Sequence, residues 1–199
     1  MAQYNFLATD ASHYNLTPLP DCWIQLPDSG LPDDKIELFA LPEITDAKEA
    51  IYSDQTIQGR SSPVKTYSYS SNRTISLTMH LYVTQNTDIL RNLSIIRAVS
   101  ALAHPEYNNT YLPPRIAKLK CGRLLSDDPG GVNVILRSYE VTYETEVQWF
   151  YQDSIYDKSG VLVSAGTYMP LHVSLPTQWD VVYDWQKLPG QQDVINGSY

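Results

Sequence analysis

The chain has 199 residues, 43% of them apolar and 18% charged, which is enough to bury a core and excludes wholesale disorder. No apolar run approaches the ~18 residues of a membrane span. A net charge of −8 argues against a nucleic-acid binder held by phosphate contacts. Neither membrane insertion nor sequence-specific nucleic-acid binding is therefore expected. Fifteen tyrosines, with plentiful Thr and Ser, point to half-buried β structure. Residues 1–10 have no basic stretch followed by an apolar one, so no secretory signal is expected. Cys22 and Cys121 match neither a disulfide framework nor a zinc pattern, and two free thiols in a reducing compartment are the expectation.

Charge is distributed in blocks. Residues 1–59 carry ten acids and two bases, 60–123 carry nine bases and two acids, and 124–199 carry three bases and ten acids. The blocks either pair within one fold or make a protomer whose basic surface meets a neighbour's acidic one.

Residues 1–56 contain prolines at 18, 20, 27, 32 and 42. Proline removes a donor and pushes its predecessor extended. The segment reads as a Pro-rich acidic arm, with one strand at 35–41 and a brief helix at 43–50. Its apolar residues Trp23, Ile24, Leu38, Phe39 and Leu41 need a surface to cover them. Residues 57–175 read as the folded domain. From 73 to 84, Ile75, Leu77, Met79, Leu81 and Val83 alternate with Thr, Ser, His and Tyr, the pattern of a half-buried strand. Residues 63–70 read as its partner across a turn at Ser70-Ser71-Asn72.

A helix is predicted over about 87–104, capped by Asn86 or Thr87, with Asp88 against its positive end. Ile89, Leu93, Ile96 and Ser100 share a face, and His104-Pro105 ends it. A Pro-rich loop leads to strands at 115–126. Asp127-Asp128-Pro129-Gly130-Gly131 is a turn. A long strand bent midway is predicted over 132–150, then a polar loop at 151–160 and a last strand at 166–175. Residues 176–199 read as an aromatic tail. The fold class is α+β, mostly antiparallel β, with one main helix covering a sheet face or plugging a sandwich.

The chemistry-bearing residues are sparse. His13, His80, His104 and His172 do not stand at ligand spacing, and His80 on a polar strand face reads as solvated. No nucleophile-elbow, phosphate-loop or zinc-protease motif occurs. No catalytic residue, metal or cofactor is expected. Glu140, Glu144 and Glu146 share one strand face at ~6.6–7 Å steps, which suits either a solvated acidic face or a glycosidase-like carboxylate pair.

Gly59-Arg60-Ser61-Ser62-Pro63, then Asn72-Arg73-Thr74-Ile75-Ser76-Leu77, resembles the opening of the tube-like domain of contractile-injection-system and myophage baseplate proteins. After the helix, Leu112-Pro113-Pro114-Arg115, Cys121-Gly122 and the strand from Val132 to Tyr143 continue the likeness, which covers about 57–175. The C-terminal LysM module of many members is not visible. The resemblance implies a tail-tube-like β-sandwich or barrel; the extended N- and C-terminal arms are read from the residues, and the arm at 1–56 is not part of the family's pattern. The resemblance also implies a structural role in a six-fold ring of copies linking tail-tube, hub and wedge or sheath proteins. The place would be the virion's tail baseplate, after synthesis in the host cytoplasm. The alternative is a tail-associated glycan-binding or hydrolase module using the Glu140, Glu144 and Glu146 face. For the ring, the basic cluster Arg115, Lys118, Lys120 and Arg123, the three glutamates, and Trp179 and Trp185 are the predicted interface. The same charges are also close enough in sequence to pair across one hairpin.

Overall fold

The computed structural model describes residues 19, 21–27, 29, 31–38, 41–105, 113–184 and 188–197. The described strands before the helix are β1 (Cys22–Gln25), β2 (Lys35–Glu37), β3 (Glu43–Ala47), β4 (Ala50–Gln55), β5 (Val64–Ser70) and β6 (Thr74–Tyr82). Helix α1 (Asn86–Ala101) follows, then β7 (Ala117–Cys121), β8 (Val132–Tyr139), β9 (Thr142–Tyr143) and β10 (Trp149–Gln152). The last described elements are β11 (Ile155–Tyr156), β12 (Leu162–Ser164), β13 (Thr167–Pro170), β14 (His172–Val181) and a short helix, α2 (Gln191–Ile195).

Eight strands make one sheet, ordered β2-β1-β7-β8-β14-β6-β3, with β9 continuing alongside β14. Every pairing in it is antiparallel. The fold is thus α+β and mostly antiparallel β. Among the described strands the sheet is open, with β2 and β3 as its edges. Strand β6 buries Ile75, Leu77, Met79 and Leu81 on one face, as its alternation predicts. Helix α1 adds Ile89, Ile95, Ile96, Val99 and Leu102 to the same core. Its N-cap is Gln85, one residue earlier than predicted. The Asp88 carboxylate explains the shift: it accepts from the backbone N–H groups of Thr84 and Gln85 and from the Thr84 hydroxyl.

Four expectations need correction. Residues 22–47 are not an arm outside the core. Cys22, Ile24, Leu26, Ile36 and Leu38 are buried, and β1, β2 and β3 are strands of the main sheet. Pro27 and Pro32 lie in the connection between β1 and β2, so they punctuate strands without interrupting one. Residues 43–47 form an edge strand, where a helix was expected. Residues 64–70 form a strand, but its partner is β4, not β6. No residue of β4 or β5 is buried, because neither has an apolar face to offer the core. Strand β6 lies instead between β14 and β3.

The fourth correction concerns the C-terminal tail. Residues 176–181 belong to β14, a central strand between β6 and β8. Proline lacks the N–H a central strand needs, which is why Pro176 reads as a strand end. Its carbonyl accepts from Glu140 N–H at 3.0 Å, so its nitrogen also faces that side. There β8 has ended at Tyr139 and β9 has not begun, so the missing N–H falls where the ladder is already interrupted. The predicted bend midway through 132–150 lies at this gap.

Candidate functional site

The structure scatters the predicted interface residues. The Lys120 side chain is only 6% exposed; its Nζ donates to the Asp128 carbonyl at 2.7 Å and pairs with Asp21 at 3.5 Å. Arg123 is 86% exposed and pairs with Asp127 at 3.1 Å. Lys118 is exposed on β7, and Arg115 is half-buried just before it. Strand β7 ends its pairing with β8 at Ala117↔Val134. Glu140, Glu144 and Glu146 all lie beyond that point, so Lys120 and Arg123 meet aspartates at the other end of the hairpin. Glu140 and Glu146 are exposed. Trp179 is fully buried, and its indole N–H donates to Thr177 Oγ1 at 2.8 Å, so it is core and no clasp on a neighbour. The alternation of β14 with buried Val173, Leu175 and Val181 puts it there. Trp185 lies outside the described residues.

Glu144 has a specific partner. Its Oε1 accepts from His172 Nδ1 at 2.6 Å, and His172 Nε2 lies 2.9 Å from His80 Nδ1. The carboxylate can only accept, so His172 carries its proton on Nδ1 and, when neutral, accepts at Nε2. His80 then donates from Nδ1 and keeps a lone pair on Nε2. The Tyr82 ring stacks on His172 with centroids 4.9 Å apart. Burial, then the charge of His172, holds His80 below the ordinary histidine value, while Glu43 and Glu144 pull the other way.

This chain of Glu144, His172 and His80 replaces the reading of His80 as a solvated histidine. Both imidazoles occupy polar positions of alternating strands, a pattern visible in the sequence. That β6 and β14 are neighbours, with Ser174 opposite His80, was not visible. The arrangement fixes two tautomers and can pass a proton between a carboxylate and an imidazole. Among the described residues, no side chain other than His172 hydrogen-bonds to His80. Among them, too, no group of three or more His, Cys, Asp or Glu is placed to hold a metal ion.

The remaining surface is dominated by two projecting ribbons. Strands β4 and β5 form one, carrying exposed Tyr52, Tyr67 and Tyr69. Strands β10 and β13 form the stem of the other, and β11 and β12 its tip. Phe150 and Met169 anchor the stem against the core. The tip presents Ile155, Tyr156, Val161, Leu162 and Val163 to solvent, and the stem presents Trp149, Tyr151 and Tyr168. A cleft of about 790 Å³ lies elsewhere, between the Asp127–Asp128 turn and Asp184, Leu188 and Asp193.

Neither the family models nor the curated proteins searched contain a match to this chain.

Proposed function

We propose that this chain is a structural subunit of a contractile phage-tail baseplate, with a tail-tube-like fold, working as a member of a six-fold ring that links tube, hub and wedge. The observation that carries the reading is the ribbon 149–170. A two-stranded ribbon is marginal alone in water. This one leaves a run of large apolar side chains uncovered, with Val163 67% and Tyr168 66% exposed. Contiguous exposed apolar surface of this kind marks an association site. The ribbon β4–β5, with no buried residue, supplies a second projection. The resemblance of 57–175 to baseplate tube-like domains gives the association its biological class. Lys118, Glu140 and Glu146, exposed members of the predicted charge set, lie on surfaces a neighbour can reach.

Light scattering after size exclusion tests the reading. The chain is expected to run as a ring-sized oligomer at high concentration. The combined Tyr156→Asp, Leu162→Asp and Val163→Asp variant should run as a monomer with an unchanged circular dichroism spectrum. A monomeric wild type at every concentration tried would count against self-assembly.

The second reading, a glycan hydrolase accessory module, has one observation behind it: the hydrogen-bonded chain from Glu144 through His172 to His80. Turnover of peptidoglycan by wild type, abolished in Glu144→Gln without loss of assembly, would favour it. No turnover by wild type would remove it.

A further inference from the structure

Cys22 on β1 stands directly opposite Cys121 on β7. The next ladder bond runs from Gly122 N–H to the Asp21 carbonyl at 2.8 Å, while the Cys22 carbonyl accepts from Leu38 on the far side. This pattern makes the cysteines a non-hydrogen-bonded antiparallel pair. In such pairs the Cα atoms lie about 4.5 Å apart and the side chains approach most closely. That separation falls inside the ~4.4–6.8 Å that a disulfide spans. The two sulfur atoms lie 2.7 Å apart as thiols, and both residues are buried.

We propose that Cys22 and Cys121 form a redox pair that a peroxide converts into an intrachain disulfide, stapling β1 to β7. The thiolate of one cysteine attacks a peroxide oxygen, the O–O bond breaks, and the departing hydroxide takes up the thiol's proton as water. That cysteine is left as a sulfenic acid. The other cysteine attacks that sulfur, the S–S bond forms, the S–O bond breaks, and a second water leaves with the proton of the attacking thiol. Two thiols have lost two electrons, and one peroxide has become two waters.

The two sulfurs share one hydrogen bond in which either can donate, so whichever becomes the thiolate attacks and the other resolves. Access comes from the sheet edge. Among the described strands only β2, three residues long, lies outside β1, so local opening of this corner admits a small oxidant. The cross-link closes a loop of nearly half the chain, and long loops lose the most unfolded-state freedom. The oxidised chain therefore unfolds at higher temperature. None of this depends on the chain being a baseplate subunit.

The test uses the full wild-type chain and hydrogen peroxide. Free thiols counted after denaturation should fall from two to none. Peptide mapping should find Cys22 linked to Cys121 in a monomer, and Tm should rise and return to its starting value with dithiothreitol. In C22S, peroxide should leave a sulfenic acid on Cys121 that a dimedone probe captures. Should C22S not fold, the wild-type peptide map still decides. Two thiols surviving a peroxide dose that consumes them in the urea-unfolded chain would overturn the proposal. So would sulfinic acid at Cys121 without the link, or a cross-link only between chains.

Discussion

Arg73 shows how one side chain ties the acidic first block of the sequence to the basic second one. Its guanidinium is buried at the start of β6. It reaches Asp46 through Nε at 2.9 Å and Nη2 at 2.6 Å, and Nη2 also donates to the Leu125 carbonyl at 2.8 Å. A two-pronged contact of this kind suits the planar fork of arginine and not lysine. Removing the carboxylate leaves a buried cation, which costs about 3–5 kcal/mol for a fully buried pair. Asp46 keeps 34% of its side chain in contact with solvent, so water takes over part of its role. Asp46→Ala should therefore lower stability by roughly 2–3 kcal/mol in urea denaturation. A loss within error would show that the pair is worth no more than a surface one. His80 gives a pH dependence of definite sign. Its value in the fold lies below the ordinary 6.5, chiefly through burial. The unfolded chain therefore binds the proton more readily. The neutral imidazole's contribution is present above pH 6.5 and is lost as pH falls below it, through the folded-state value. Unfolding midpoints measured from pH 7.5 to 5 should fall, and His80→Gln should flatten that slope. An equal slope in the variant would place the titration on another group.

At the scale of elements, β14 and the β7–β8 turn carry the strongest constraints. Trp179 is fully buried, and its N–H enters a buried relay through Thr177 to the Leu77 carbonyl. Trp179→Ala should cost about 3–5 kcal/mol and reduce soluble yield. A folded Trp179→Ala chain that merely failed to assemble would restore this residue to an interface. Gly131 closes the turn with φ at +72°, and a Cβ there would lie 2.7 Å from the Leu119 carbonyl oxygen. Gly131→Ala should destabilise by about 1–3 kcal/mol, read as a drop in Tm. Strand β6, helix α1 and this turn were legible because each has a local signature: period two, an apolar stripe and a Gly-Gly turn. Strands β1 and β3 were not, since their few apolar residues sit among prolines and acids whose meaning depends on the sheet they join. The cysteine and histidine pairs share that limit. Each is a contact across strands, and neither strand alone says which neighbour it has.

At the scale of the whole molecule, the acidic first block lies against the basic second one. Lys120–Asp21, Arg73–Asp46 and Lys65–Asp54 all join residues before 60 to residues after it. The charge blocks thus serve the fold in part, and the surplus remains on the surface. What projects from this body carries few charges and many exposed aromatic and apolar side chains: the two ribbons, held mainly by their own ladders. Local stability should follow the same division, high in the eight-stranded sheet and low at the ribbon tips. Trypsin offers a direct readout, because Arg60 lies in the turn between β4 and β5 and Lys158 in the turn between β11 and β12, both exposed. In the isolated subunit the first cuts within 21–184 should fall after these two residues. Lys35, in a strand paired with β1, and Lys118, in a strand between β1 and β8, should resist until the sheet unfolds. If the ribbons bury themselves on neighbouring copies, the same two cuts should slow several-fold in the assembled form at equal enzyme ratio. An early cut after Lys35 would return the amino-terminal strands to the status of an arm. Equal rates in monomer and assembly would move the subunit contacts away from the ribbons.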